Sequence, residues 1–162
     1  MEKQTLPTPP TEEECRLYYY GLPYCPRLVA RSSSHVWEKR RLPFSTSSNP
    51  RENMVPKALA QCPEHPAYQL WFDPASSLRG DILQAVNAAN AADWVSLDLI
   101  GIRDNNGVDT IDFIATLMVT VKPGKISWSV GYAIARQCKS ILEAHNILDV
   151  ECEIRESIVR YL

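Results

Sequence analysis

Cysteine and histidine are the residue types in this sequence best suited to binding a metal ion. Cys62 and His65 are separated by two residues, a spacing that one zinc ion can bridge. Cys25 and His35 would have to complete the tetrahedral site, but nine residues lie between them and prolines constrain both segments. Because structural zinc prefers two closely spaced ligand pairs, the sequence predicts no metal site, and it predicts no cofactor.

The remaining reactive residues do not form a recognisable catalytic group. A cysteine nucleophile needs a histidine base within reach, and none of the histidines lies in a recognisable sequence frame: His35, His65 and His145. Asp98 and Asp112 could act as paired carboxylates, but their positions are typical of charges that break up an exposed sheet face. The sequence therefore predicts no catalytic residue and favours a protein without catalysis of its own.

One loop has the composition of a weak anion site. Lys122 and Lys125 flank a Pro-Gly turn, and Ser127 follows at the expected start of a helix, whose free amides attract phosphate. The loop lacks the glycine and lysine spacing of a P-loop, and an ordinary solvated turn has the same composition. Lys122, Lys125 and Ser127 are therefore only a weak candidate.

Charge and proline are distributed unevenly along the chain. Residues 1–66 carry a net charge of +2 and ten of the twelve prolines, whereas residues 67–162 carry a net charge of −4. We therefore predict a Pro-rich, partly disordered arm and linker over residues 1–66 and a compact domain over residues 67–162. An acidic domain binds the phosphate backbone poorly, so no nucleic acid partner is expected.

Targeting signals are not evident in the sequence. It shows no signal peptide and no apolar run long enough to span a membrane, so no membrane partner is expected. The five cysteines are odd in number and form no C-x-x-C motif, a pattern typical of reduced thiols. We expect an intracellular, cytoplasmic protein, with the nucleus as an open alternative.

Hydrophobic periodicity predicts six elements after residue 66. In order they are a strand at 68–72, a helix from Ser76 or Ser77 to Ala89, two strands flanking Asn105-Asn106-Gly107, a helix from Ser127 to Asn146 and a strand at 149–156. This βαββαβ order is that of a ferredoxin-like fold. The predicted class is α+β, with two helices on one face of a four-stranded antiparallel sheet, preceded by an irregular Pro- and Tyr-rich arm.

The last predicted strand alternates cleanly between apolar and charged residues. This pattern places Val150, Cys152 and Ile154 towards the core. It places the charged residues in water, namely Glu151, Glu153 and Arg155. The strand is therefore expected to be buried on one face only.

The register of the hairpin decides which side chains the helices cover. A three-residue loop of Asn105, Asn106 and Gly107 buries a more apolar row than a two-residue turn does. That loop aligns Val95, Leu97, Leu99 and Gly101 with Leu117, Ala115, Phe113 and Ile111. The opposite face then presents a patch too apolar to be left in water, formed by Trp94, Ile100, Ile102, Ile114 and Met118. We expect this patch to be an interaction surface.

The Tyr-rich arm, defined as residues 15–24, is a candidate docking segment. Tyrosine is favoured at protein interfaces, and four tyrosines fall within seven positions: Tyr18, Tyr19, Tyr20 and Tyr24. The arm either packs on the domain or docks to another chain. Three occupants of the apolar sheet face therefore stay open, namely this arm, a second copy in a homo-oligomer and another protein.

These features predict a protein-interaction or assembly module. Its distinguishing property would be a sheet that is apolar on both faces, so that helices on one side leave the other side to be covered. The alternative is a small-ligand-binding protein or an enzyme of unrecognised type that uses the open sheet face, since many small α+β domains bind ligands. That alternative requires a pocket with convergent polar groups near Asp98, Asp112 or Tyr18–Tyr20.

Several segments resemble a large family of uncharacterised filamentous-fungal proteins. They are Tyr19–Pro23, Pro26–Ser33, Cys138–Leu142 and Asp149–Ser157. Similar proteins are often longer and continue into a second domain that resembles trypsin. The resemblance therefore implies the N-terminal domain of a longer fungal protein, an expectation that the strand-like ending Val159–Leu162 matches. It implies no activity and transfers no catalytic residue.

Overall fold

The computed structural model describes residues 7–39, 54–90, 94–105 and 113–157. It confirms the α+β class. The helices are α1 (Glu12–Leu17), α2 (Pro66–Phe72), α3 (Leu78–Asn90) and α4 (Trp128–Ala144). The strands are β1 (Arg27–Arg31), β2 (Lys57–Ala60), β3 (Trp94–Asp104), β4 (Ile114–Val121) and β5 (Glu151–Glu156).

The strands form one mixed sheet in the order β1-β5-β4-β3-β2. Strand β4 pairs in parallel with β5, and the other neighbours pair antiparallel. The parallel pair follows from α4, because a helical crossover returns the chain to the end of the sheet at which β4 began. The predicted four-stranded, all-antiparallel, ferredoxin-like sheet is therefore not observed.

The prediction of a first strand at residues 68–72 is wrong, because these residues lie in helix α2. His65 caps this helix, with its Nδ1 accepting a hydrogen bond from Ala67 N at 3.1 Å. Pro66 occupies the first turn, where its missing N–H costs nothing. The cap residue His65 and Pro66 in the first turn favour a helix here, although the aromatic and apolar side chains that follow are typical of a strand.

The two edge strands come from the part of the chain predicted as arm and linker. Strands β1 and β2 are formed by residues before 67, so the sheet crosses the predicted boundary between residues 66 and 67. Helix α1 also lies in this part, and Thr11 caps it by accepting a hydrogen bond from Glu14 N at 3.1 Å. Strand pairing over long sequence separations holds these segments in place, and periodicity does not reveal such pairing.

Helices α2, α3 and α4 cover one face of the sheet, which we call the helix-side face. Its core is apolar and fully packed. The buried side chains include Leu78, Ile82 and Val86 of α3, Ile134, Cys138 and Leu142 of α4, and Leu99, Leu117, Val119 and Ile154 of the sheet. Two predicted end signals of α4 are confirmed: Ser127 Oγ accepts from Val130 N at 3.3 Å, and Asn146 has a φ of 63°.

The hairpin pairs in a register four residues away from the predicted one. Leu99 lies opposite Leu117 rather than Phe113, and Ile102 lies opposite Ile114. A shift by an even number of residues does not change the face of a regularly paired residue, so Leu97, Leu99, Ala115 and Leu117 still face the helices. Trp94, beside an irregularity in the pairing, is an exception. The turn residues Asn106 and Gly107, and Asp112, lie outside the described residues.

The other face, which we call the arm-side face, is covered by the Tyr-rich arm. Tyr18, Tyr19 and Leu22 pack there against the sheet residues Leu28, Ile102 and Met118. The sheet thus separates two cores of different origin. Among the described residues, no helix combines the length and apolarity needed to cross a membrane.

Candidate functional site

Glu153 is the most unusual residue of the arm-side face. It was predicted to face water, but only 7% of it is exposed, because the Tyr-rich arm lies over the outer face of β5. Tyr18 Oη donates a hydrogen bond to Glu153 Oε2 at 2.7 Å, and Tyr19 Oη donates to Oε1 at 2.8 Å. Both carboxyl oxygens are therefore satisfied by hydroxyl groups from the arm, which explains how an acidic side chain can be buried here.

The ionisation of this cluster is governed mainly by burial. Burial raises the pKa of Glu153, while the two tyrosine hydrogen bonds and the charges of Lys57 and Arg31 oppose that shift. Burial also raises the pKa values of Tyr18 and Tyr19, and the neighbouring carboxyl of Glu153 adds to both shifts. The two hydroxyls therefore stay protonated, and they act as hydrogen-bond donors to Glu153.

Tyr18 is held in place by its ring as well as by its hydroxyl. Its ring meets that of Tyr19 edge-on, with centroids 4.9 Å apart. The Arg31 guanidinium lies 5.6 Å and the Lys57 ammonium 5.5 Å from the Tyr18 centroid, distances at which cations interact with the ring quadrupole. The rigid aromatic pair fixes both hydroxyls at the carboxyl group.

Charge pairs anchor the helix that leads into the arm. The three consecutive glutamates of α1 each have a basic partner: Glu12 with Arg27, Glu13 with Lys39 at 3.7 Å, and Glu14 with Arg31 at 2.9 Å. These glutamates lie within residues 1–66, which were predicted to be a partly disordered arm and linker. Basic partners from β1 and from the segment after it offset the repulsion between the neighbouring carboxylates.

A cavity of about 540 Å³ opens beside Tyr18 and Glu153 on the arm-side face. Its polar wall is formed by sheet residues on neighbouring positions of β4 and β5, namely Thr116, Glu151 and Glu153. Its apolar wall comes from the arm, the segment after β1, the segment before β2 and the hairpin: Leu17, Val36, Trp37, Met54, Val55, Ile102 and Ile114. The remaining lining residues are polar or charged: Tyr18, Ser33, His35, Glu38, Lys57, Arg103 and Asp104.

Hydrogen bonds within the protein fix the polar wall. Thr116 is 5% exposed, and its Oγ1 donates to Ile114 O at 3.2 Å. Glu151 accepts a hydrogen bond from Ser32 Oγ, and its Oε1 lies 3.3 Å from Lys139 Nζ. These bonds hold the wall in one arrangement before any ligand enters.

Basic groups reach the cavity from the β2 side. Lys57 Nζ lies 3.1 Å from Asp104 Oδ1, so its charge is already paired. Arg103 stacks over Phe113, with its guanidinium carbon 4.5 Å from the ring centroid, and its buried Nε has no hydrogen-bond partner among the described residues. Burial and the adjacent Arg31 lower the pKa of His35, which favours a neutral imidazole.

The structure distributes the predicted interaction residues over different environments. Ile100, Ile102 and Met118 lie under the arm. Ile114 is 64% exposed at the mouth of the cavity. Trp94 does not lie on its predicted face, because an irregularity in the pairing between Trp94 and Ser96 turns its ring to the helix-side core. There its Nε1 donates a hydrogen bond to Asn87 Oδ1 at 2.6 Å.

The four arm tyrosines also differ in their environments. Tyr18 and Tyr19 are buried at Glu153, as described above. Tyr20 is half-buried, and its carbonyl accepts a hydrogen bond from Lys57 N at 2.7 Å, which ties the arm to β2. Tyr24 is exposed and has a positive φ of 66°. Tyr18 and Tyr19 both contact Glu153, and of the four tyrosines only Tyr18 lines the cavity.

The weak anion candidate already contains a carboxylate of the protein itself. Gly124 N donates to Glu156 Oε2, and Ser127 Oγ is used as the cap of α4. Lys122 and Lys125 are exposed beside this turn. An external anion would have to displace Glu156 from the turn amide.

The metal candidates are spread over the molecule. His65 pairs with Asp149 at 2.8 Å, Cys62 packs beside Gly101, and Cys25 is exposed. Within the described ranges, no group of three or more His, Cys, Asp or Glu residues could hold a metal ion. Cys138 and Cys152 are free thiols in the helix-side core, where a hydrogen bond between the two and burial raise the pKa of Cys152.

Glu153 was not predicted as a site residue, because an alternating strand at a sheet surface normally exposes its charged face to water. The available signal was the Tyr-rich arm, which carries several hydroxyl donors and needs acceptors wherever it is buried.

Comparison with protein-family models, with curated proteins and with solved structures found no match, so the resemblance to fungal proteins stays a prediction.

Proposed function

We propose that this protein binds a small molecule in the cavity on the arm-side face. The observation that carries the proposal is a buried carboxyl group, Glu153, held by two tyrosine hydroxyls in the wall of a cavity of about 540 Å³. Ligand sites in proteins usually have volumes of about 300–1,000 Å³ and combine an apolar lining with a few fixed polar groups. The volume of this cavity lies in that range, and its lining combines apolar side chains with polar groups that hydrogen bonds hold in place.

The burial of Glu153 supports a binding role because burial has a cost. Removing a carboxyl group from water is unfavourable unless hydrogen bonds replace the lost hydration, and the protein provides two bonds for this purpose. An apolar residue at this position would pack under the arm without that cost. Groups with shifted pKa values beside a cavity are enriched at functional sites.

A screen of fragments containing aromatic amines, alcohols and carboxylates tests the proposal. We expect at least one fragment to raise the melting temperature, and we expect Ile114→Trp to abolish that effect by filling the cavity mouth. Leu148→Trp is the matched control, because Leu148 is 73% exposed and does not line the cavity. Fragments that act equally on both variants, or no fragment that acts, would refute the proposal.

Protein interaction or assembly, the first function predicted from the sequence, is the second candidate. The observation that favours it is the exposure of two apolar side chains at the cavity mouth, Ile114 at 64% and Val36 at 83%. Light scattering over a range of concentrations tests self-association. A strict monomer whose mass is unchanged at high concentration would count against a homo-oligomer, and a partner of another kind stays a prediction.

A further inference from the structure

The polar wall of the cavity offers hydrogen-bond acceptors, and its own hydrogens are already used. Tyr18 Oη donates its hydrogen to Glu153, and Thr116 Oγ1 donates its hydrogen to Ile114 O. Each of these hydroxyl oxygens keeps lone pairs that can accept further bonds. Glu151 and Glu153 are carboxyl groups, which in the ionised form only accept. A ligand head that fits this wall must therefore supply several donors.

The position of the wall in the sheet brings these acceptors together. Thr116 of β4 is the direct neighbour of Glu151 on the parallel strand β5, and Met118 is the neighbour of Glu153. Residues two apart on a strand share a face, so Glu151 and Glu153 both point to the arm side, as the cavity lining confirms. One cationic head can thus lie within reach of acceptors from two strands.

The basic residues at the cavity do not cancel this preference. Lys57 is paired with Asp104, and Arg103 is stacked on Phe113. Asp104 of β3 and Glu38 also line the cavity, so carboxyl groups outnumber the cations Lys57 and Arg103 in its lining. Lys139, whose Nζ lies 3.3 Å from Glu151 Oε1, does not line the cavity. An anionic head at the polar wall would meet two carboxyl groups, which is unfavourable at close range.

We propose that the cavity takes an organic cation, an ammonium or guanidinium head on an apolar tail, with the head at Thr116, Glu151 and Glu153. This inference rests on the proposed ligand-binding function and names its ligand class. The apolar tail would lie against Leu17, Trp37 and Ile102, which line the rest of the cavity. The Trp37 ring adds a surface on which a cation and an aromatic tail both bind favourably.

Isothermal titration with three probes that share one tail tests the ligand class. The probes are phenethylammonium, phenethyl alcohol and the hydrocinnamate ion, which differ in the charge and hydrogen-bonding capacity of the head. We expect the ammonium to bind about tenfold more tightly than the alcohol, because hydrogen bonds from a charged donor are the stronger ones. The hydrocinnamate ion should bind more weakly than either.

Two threonines of β4 provide a matched pair of variants. Thr116→Val removes an acceptor from the cavity wall and should weaken binding of phenethylammonium about tenfold. Thr120→Val is the control, since Thr120 is also buried on the same face but does not line the cavity, and its Oγ1 accepts from Arg155 Nε. We expect this control to leave the affinity unchanged, and thermal unfolding verifies that both variants fold.

The outcomes separate the two proposals. Tighter binding of hydrocinnamate or the alcohol, abolished by Ile114→Trp, would overturn the ligand class and leave the cavity as a binding site. Equal effects of Thr116→Val and Thr120→Val would also overturn the assignment of the cation to this wall. If no member of the probe set binds, the organic-cation inference is refuted, whereas the fragment screen with Ile114→Trp decides separately whether the cavity binds a small molecule.

Discussion

The two faces of the sheet are built by different physical means. The helix-side face is covered by α2, α3 and α4, and its core is built mainly of apolar side chains. The one buried cation described there, Lys139 of α4, donates hydrogen bonds to the carbonyl groups of Leu148 and Val150. The arm-side face is covered by an irregular segment, and Glu153 with its two tyrosine donors lies at the centre of it. The first face explains why the chain folds, and the second contains the groups that could recognise another molecule.

The difference teaches where specificity can reside in a small α+β domain. Apolar packing is strong but non-directional, so it stabilises a fold without selecting a ligand. Hydrogen bonds to a buried carboxyl group are directional and are costly to leave unmade. A cavity beside such a group is therefore more selective than a cavity of equal size on the helix side would be.

The largest expected effect is on the helix-side face. Leu117→Ala should lower the free energy of unfolding by about 3 kcal/mol, because Leu117 is completely buried and truncation leaves a cavity. Chemical denaturation monitored by circular dichroism measures the change. A loss comparable to that of an exposed substitution such as Leu148→Ala would mean that the helix-side core is not the main source of stability.

The next effect concerns the hydrogen bonds of the arm. Tyr19→Phe should lower the free energy of unfolding by about 1–2 kcal/mol, since it removes the hydroxyl that donates to Glu153 Oε1 and leaves a buried acceptor unsatisfied. Tyr24→Phe is the control, because Tyr24 is exposed and its hydroxyl has no such role. If both substitutions behave alike in denaturation, the hydroxyl of Tyr19 contributes nothing to docking of the arm.

These two predictions also show what sequence patterns can and cannot provide. The burial of Leu117 follows from periodicity alone, and even a register error of four residues preserved it. The role of Tyr19 depends on a carboxyl group near the other end of the chain, a pairing that no local pattern encodes. Capping by Ser127 and Asn146 was predictable because such signals are local, whereas edge strands β1 and β2 depend on distant partners.

A smaller effect is expected from pH. The folded-state pKa of Glu153 lies above its ordinary value of 4.5, so the folded protein binds this proton more tightly than the unfolded chain does. The contribution of Glu153 to stability is then fully present below pH 4.5 and declines as the pH rises through the folded-state pKa. The difference in unfolding free energy between the protein and Glu153→Gln should therefore decrease as the pH rises above 4.5. A difference that stays constant or rises would contradict the raised pKa.

The smallest effect is expected at the surface of α1. Glu12 pairs with Arg27 in full contact with solvent, where the bond to Arg27 lowers the pKa of Glu12. Exposed ion pairs add little to stability, so Glu12→Gln should leave the melting temperature unchanged within error. A clear decrease would show that the arm depends on its charge pairs rather than on Tyr18 and Tyr19.

The isoleucine methyl groups distinguish the two faces in one measurement. Ile102 and Ile114 line the cavity on the arm side, whereas Ile82 and Ile134 lie in the helix-side core. In a methyl-labelled sample titrated with phenethylammonium, we predict saturable shifts of the Ile102 and Ile114 signals and unchanged signals from Ile82 and Ile134. Shifts confined to the helix-side core, or no saturable shift at either cavity residue, would contradict a site for an organic cation on the arm-side face.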